Sequence, residues 1–143
     1  MLSSDYQVIA AFTIPGEPVP KGRPRFARRG SAVMTYTPKK TAGAEDAVAG
    51  CFRRAAGSSI PDPAAAYGLT AVFCCGTRYR HDTDNLLKLL LDALNAVAWP
   101  DDDQVTEISA RKYWGQREEA RTEVTVYRAG LLDKPRLRKA RAS

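Results

Sequence analysis

Residues 81–105 read HDTDNLLKLLLDALNAVAWPDDDQV. Leu86, Leu87, Leu90, Leu91, Leu94 and Val97 recur at helical spacing, which predicts a helix over 84–98 closed by Pro100. Asp84 is expected near its N-cap. Asp84, Lys88 and Asp92 follow at steps of four and share the face opposite the leucines. Asp82 and Asp84 flank Thr83, and in an extended approach they point to the same side. Aspartate before a helix is a favoured cap, and Asp–Lys pairs at this spacing are routine surface features. For Asp92 the expected role is such a pair, or support of a neighbouring group.

The triple Asp101-Asp102-Asp103 is harder to assign to decoration. It follows a helix C-terminus, where the dipole disfavours negative charge. Two carboxylates about 4 Å apart repel by roughly 4 kcal/mol at an effective dielectric near 20. Acids gathered with Asp82 and Asp84 would need a cation, and oxygen-only donors select Mg²⁺ or Mn²⁺. A helix of roughly 14 residues spans about 21 Å, so the two groups meet only if the chain doubles back. Periodicity does not establish that return.

Outward from this stretch, residues 67–75 (YGLTAVFCC) read as a buried strand, with a linker at 58–65 before it. A helix is expected over 39–56, opened by Thr37-Pro38 and stopped by Gly57-Ser58-Ser59. Its expected inner face is Ala44, Ala47, Val48, Cys51, Phe52 and Ala55. Residues 6–14 read as a first strand. Four prolines and three glycines in 15–30 argue against any regular element there, and residues 34–36 suit a short strand. Further strands are expected over 105–114 and 123–127. The order implies an α+β fold: a compact single domain, a mixed β-sheet covered by two helices. The domain is placed at 1–130 and a basic C-terminal tail at 131–143.

The chain has 143 residues, 44% apolar and 27% charged, which is ordinary globular composition. No apolar run approaches the roughly 20 residues of a membrane helix, and the N-terminus lacks a basic, signal-like start. A cytoplasmic location is expected. Cys51, Cys74 and Cys75 are odd in number and lack CxxC spacing, so reduced, packed thiols are expected. The single histidine, His81, makes a His-based relay or a zinc centre improbable. Neither GxxxxGK[ST] nor GxGxxG occurs, so no nucleotide cofactor is expected.

Charge is distributed unevenly. The net value is +6. Taking the six acids and one base of residues 81–103 from totals of 16 and 22 leaves 10 acids against 21 bases. Lys21, Arg23, Arg25, Arg28 and Arg29 place five bases in nine residues without an acid. A basic body with one acidic focus suits an enzyme that attracts a polyanion and holds a cation against it. A basic protein with an acidic loop fits the charge equally; the alternative functions are a non-enzymatic basic DNA-binding protein, whose acids form caps and salt bridges, and a metal nuclease acting on flaps or mismatched duplex.

The motifs Asp82-Thr83-Asp84-Asn85-Leu86-Leu87-Lys88, Leu91-Asp92-Ala93-Leu94 and Asp101-Asp102-Asp103-Gln104-Val105 occur in this order. Together they resemble the RusA family of Holliday-junction resolvases. Residues 18–26 (PVPKGRPRF) and Tyr36-Thr37-Pro38 are also similar to that family's N-terminal half, and the likeness covers about 12–127. The resemblance implies a homodimeric, Mg²⁺-dependent endodeoxyribonuclease, with Mn²⁺ as a substitute. Such enzymes nick four-way DNA junctions in recombination and repair, often in phages or prophages. It carries metal-binding roles onto Asp82, Asp84 and Asp102, with Asp101 as a further ligand, and a catalytic role onto Lys88. It implies that Asp102 returns to Asp82 and Asp84. The basic loop, with Lys39 and Lys40 after it, is expected to grip DNA phosphates. Phe26 and Tyr36 are candidates to wedge against unstacked bases, although core packing is the commoner role for both.

Overall fold

A computed structural model describes residues 6–22, 25–30, 32–36, 38–77, 81–115 and 117–133. Its elements in chain order are β1 (Tyr6–Pro15), β2 (Arg25–Arg29), β3 (Ala32–Tyr36), α1 (Lys39–Ala56), β4 (Ala65–Cys74), α2 (Thr83–Leu94), β5 (Val105–Tyr113) and β6 (Arg121–Leu131). The main sheet has the order β1-β6-β4-β5. β6 pairs antiparallel with both β1 and β4, whereas β4 and β5 run parallel. The fold is therefore α+β, a mixed sheet with two helices, as the element order implied.

Strand β4 is the apolar centre. Leu69, Ala71 and Phe73 alternate along it and are buried, beside Val124 and Val126 of β6. Val48 and Phe52 of α1, and Leu86, Leu90 and Leu94 of α2, close over them. The parallel pair decides the site's geometry. Parallel neighbours cannot be joined by a tight turn, so the chain must cross over and return, and α2 supplies the crossover. Val105 then pairs with Tyr67 at the start of β4. The segment just before Val105 is thereby brought back alongside α2.

Four expectations need correction. The first concerns the stretch 15–30, which contains a strand after all: β2 pairs with β3 as a hairpin, Arg25 opposite Tyr36 through Arg29 opposite Ala32. The prolines end at residue 24, before the strand begins. Second, α1 occupies its expected span, but its buried residues are Thr41, Val48, Ala49 and Phe52, while Ala47 and Ala55 are exposed. Third, α2 ends at Leu94, not at residue 98. Ala96 adopts φ 62°, the left-handed region that alanine enters at a cost of roughly 1–2 kcal/mol. The N–H groups of Val97 and Ala98 both donate to the Leu94 carbonyl at 3.0 and 2.8 Å, and Trp99 then enters the core fully buried. Fourth, the inner face of α2 is Leu86, Leu89, Leu90, Ala93 and Leu94, so Leu87 and Leu91 lie to one side.

Strand β6 runs one residue into the segment read as a tail, with Leu131 opposite Ala65. Residues 134–143 of that tail lie outside the described residues. The three cysteines are free, Cys74 and Cys75 being buried. Among the described residues no helix is long and apolar enough to cross a membrane.

Candidate active-site groove

The side face of α2 and the first half of β5 enclose a groove of about 280 Å³. Leu87, Leu91, Val105 and Ile108 form its apolar part, and Asp84, Lys88, Asp92 and Asp102 its polar part. The steps of four along α2 thus do what spacing predicts: Asp84, Lys88 and Asp92 share one face. Asp102 arrives from the returning chain. Carboxylates beside apolar walls are less screened than in open water, so their charge acts on an ion that enters.

Asp102 is held by a device that spacing alone did not indicate. The Trp99 indole N–H donates to Asp102 Oδ1 at 2.7 Å, and Trp99 is itself fully buried. A buried indole needs an acceptor, so the tryptophan anchors the carboxylate by satisfying itself. The interval Trp99-Pro100-Asp101-Asp102, an indole three residues before an acid, was the available signal.

The rest of the turn is structural. Residues Asp102–Gln104 form one 3₁₀ turn, and Asp101 caps it. The Asp103 N–H donates to Asp101 Oδ1 at 3.1 Å, and the Asp101 N–H donates to Gln104 Oε1 at 3.2 Å. Gln104 is buried, and its Nε2 donates to the carbonyls of Asp62 and Ala65, both at 2.9 Å. This reciprocal capping fixes the turn and ties it to the start of β4. Asp101 is therefore engaged in the turn itself and does not line the groove with Asp102. Asp103 is exposed.

Asp82 is the N-cap of α2 with extended backbone, as expected, but Asp84 already lies in the first helical turn, so the alternation of an extended strand does not continue to it. The Asp82 side chain makes no capping hydrogen bond. It is exposed at the helix N-terminus and is not among the groove residues. Among the described residues no three acidic, histidine or cysteine groups are gathered closely enough to hold a metal ion. The chemistry of the donors nevertheless suits a hard divalent cation. Asp84 and Asp102 present carboxylates to one groove, and a single oxygen of Asp102 is taken by Trp99.

Lys21 is the second feature outside the reach of spacing. Its Nζ lies 2.5 Å from Glu45 Oε1 of α1 and 3.0 Å from Asp92 Oδ2 of α2. Its backbone N–H donates to the Asn85 carbonyl at 3.0 Å. Burial works against the ammonium charge, but the bonds to Glu45 and Asp92 outweigh it and raise the Lys21 pKa above its ordinary value. Lys21, expected to grip DNA, clamps the proline-rich loop to both helices in this structure. The same Asp92 oxygen lies 3.9 Å from Lys88 Nζ. Lys88 is 61% exposed, so its ammonium can reach a molecule in the groove.

Of the other expected DNA contacts, Lys39 and Lys40 are exposed in the first turn of α1. Arg23 lies outside the described residues. Arg25, Arg28 and Arg29 lie on β2, whose side chains are also outside them, as are those of Phe26 and Tyr36. His81 enters through its backbone carbonyl, which accepts from Lys112 Nζ at 2.7 Å.

A family model, endodeoxyribonuclease RusA, matches residues 15–127. That span contains every residue of the groove, together with Trp99, Gln104 and Lys21. No curated protein matches the chain.

Proposed function

The chain belongs to the RusA family of endodeoxyribonucleases, and from that premise we propose that it resolves four-way DNA junctions by hydrolysing a phosphodiester in the α2–β5 groove. The observation that carries the reading is the meeting of Asp84, Lys88 and Asp102, from opposite sides of one crossover, in a single groove inside the matched span.

A hard divalent cation, Mg²⁺ with Mn²⁺ as its substitute, would be held by Asp84 and Asp102, with Asp82 reaching in from the N-terminus of α2, and would supply positive charge and an acidified water at the phosphate. The chain's own groups then divide the remaining work. Lys88 places a mobile ammonium at the groove, where it neutralises charge that grows on the phosphate oxygens. Asp92 restrains that ammonium, and Lys21 in turn holds Asp92. Trp99 fixes Asp102, so that this carboxylate does not have to reorganise when substrate arrives. Leu87, Leu91, Val105 and Ile108 keep the groove apolar and so strengthen each of these charges. The surplus of bases outside residues 81–103 attracts the DNA arms. Paired nicks on opposed strands require two grooves, hence a homodimer.

The test is cleavage of a synthetic four-way junction with divalent ions titrated. Paired, symmetric nicks that require Mg²⁺ are expected. Asp84→Asn and Asp102→Asn should each abolish nicking while junction binding persists. A folded protein that binds the junction and never nicks it would be a binding protein only. Unpaired nicks on flaps would place it among other branched-DNA nucleases.

A further inference from the structure

The chain has two tryptophans. Trp99 is fully buried and committed to Asp102. Trp114 is 57% exposed, at the end of β5. An indole left largely in water forfeits the burial that makes this side chain valuable in a fold. Its surroundings are nevertheless organised. Lys112 Nζ lies 4.7 Å from the centre of the Trp114 ring. The same ammonium donates to the His81 carbonyl at 2.7 Å. One lysine therefore links the ring to the segment that enters α2, immediately before Asp82.

The strand register shows on which side of the sheet this link lies. Lys112 pairs with Phe73, whose side chain is buried beneath the helices. Neighbours in register share a face, so Lys112 rises on the helix-bearing side, where the groove lies. Ile108, on the same strand, lines the groove itself. Trp114 thus stands at the end of the groove marked by the N-terminus of α2, past Asp82 and Asp84.

We propose that Trp114 is a stacking platform for an unpaired base of the branched DNA, set beside the nuclease groove. The inference rests on the nuclease reading above and adds a subsite to it. The ring face away from the Lys112 ammonium accepts any base, and the cation over the other face favours the nucleotide's phosphate. The chain's net charge of +6 and the Lys112 ammonium over the ring favour a polyanion over a neutral partner. Four-way junctions offer unstacked bases at the crossover, whereas linear duplex does not. Trp114 should therefore add affinity for the branch and little for duplex.

The test compares wild type, Trp114→Ala and Trp114→Phe, in buffer without divalent ions, on a junction carrying 2-aminopurine at the branch and on a linear duplex of the same sequence. Trp114→Ala should weaken junction binding by about tenfold, the scale of one lost base–aromatic stack, with duplex binding changed less than about twofold. Trp114→Phe keeps a ring and should stay within about threefold of wild type. Junction binding should protect the wild-type exposed tryptophan from acrylamide quenching, a readout independent of either variant's stability. Equal junction affinity in Trp114→Ala, with no protection of wild-type emission, overturns the platform. If wild type still nicks junctions in Mg²⁺, the nuclease reading survives that result. A wild-type protein that neither prefers nor nicks junctions removes both.

Discussion

Replacing Gln104 by Leu keeps side-chain bulk and removes three hydrogen bonds at once. Nε2 no longer donates to the Asp62 and Ala65 carbonyls, and Oε1 no longer accepts from the Asp101 N–H. These losses differ in size. Asp101 is exposed and Asp62 is half-buried, so water replaces the lost partner at both, and each costs about 1 kcal/mol. Ala65 is fully buried, and its carbonyl is left without that partner, at about 1–3 kcal/mol. The sum is roughly 3–5 kcal/mol. For a chain of 143 residues, an unfolding entropy of about 2.1 cal/mol/K per residue turns this into a fall in Tm of roughly 10–17 °C. Thermal unfolding followed by circular dichroism measures it. Cleavage assayed well below the variant's Tm should still be slow, because the turn carrying Asp102 has lost its tie to β4. Gln104→Glu separates donor from acceptor. It keeps an oxygen for Asp101, but places a carboxylate against two carbonyls, so its Tm deficit should be larger at pH 7 than at pH 5. A Tm within about 2 °C of wild type for Gln104→Leu would refute the reasoning. The turn would then be held by its own backbone bond, Gln104 N–H to the Asp101 carbonyl at 3.0 Å.

Lys21→Met should reduce stability by about 1–2 kcal/mol and slow cleavage while leaving junction Kd nearly unchanged, because it frees two partly buried carboxylates and loosens Asp92. Weaker junction binding with cleavage of bound DNA intact would instead make Lys21 a phosphate contact. Ala96→Gly should stabilise the fold by about 0.5–1 kcal/mol, since this exposed residue sits at φ 62°, and a lower Tm in thermal unfolding would contradict it. On the sheet face away from the helices, the Tyr6 and Tyr127 hydroxyls donate to Glu107, at 2.6 and 2.8 Å, and lower its pKa, the Tyr6 bond acting most. Its stabilising effect is complete above the ordinary value of 4.5 and is lost as pH falls through the lowered one, so Glu107→Gln should flatten the acid limb of the Tm–pH curve. Burial, then the bond to Glu107, pushes Tyr127 up to about 12. Its contribution is complete below its ordinary value of 10.0 and fades as pH rises through about 12, which absorbance near 295 nm should follow as one late-titrating phenol.

Strands β1, β4 and β5 and the body of both helices were legible because each joins a clear periodicity to proline or glycine punctuation. β3 was read in part, at residues 34–36, but β2 was not, because Arg25–Arg29 is rich in charge and has no alternating apolar face. Its strand character is carried by backbone pairing with Ala32–Tyr36, which composition does not record. The end of α2 was missed for a related reason. Val97 continues the apolar period of the leucines, but the chain turns at Ala96 and brings Trp99 into the core. Local spacing favours another helical turn, and burial of the largest side chain overrides it. Leu86, Leu87, Leu89, Leu90, Leu91 and Leu94 also cover more than half the helix circumference, so the pattern leaves its inward slice open. Packing against α1 and the sheet selects that slice, and the leucines left aside become the groove wall.

The site divides along the same line. Asp84, Lys88 and Asp92 are neighbours by helical geometry, so a single sequence suffices to group them. Asp102 joins them through a topological fact, the parallel pairing of β4 with β5, which forces the crossover to return beside α2. No local pattern contains that fact, and only the family resemblance supplied it beforehand. Lys21 lies farther out of reach, since its two carboxylate partners come from different helices, Glu45 after it in α1 and Asp92 in α2. Yet its position has a readable logic. A proline-rich loop cannot bind itself down with regular backbone hydrogen bonds, so it needs side-chain anchors, and Lys21 is the first base within it. The arrangement couples that loop to the groove through one carboxylate shared by Lys21 and Lys88. On the proposed function, a shift of Lys21 when DNA binds would alter the restraint on Lys88, linking substrate grip to the charge at the scissile phosphate. Double substitution of Lys21 and Asp92 should therefore cost less in cleavage than the two single losses added together.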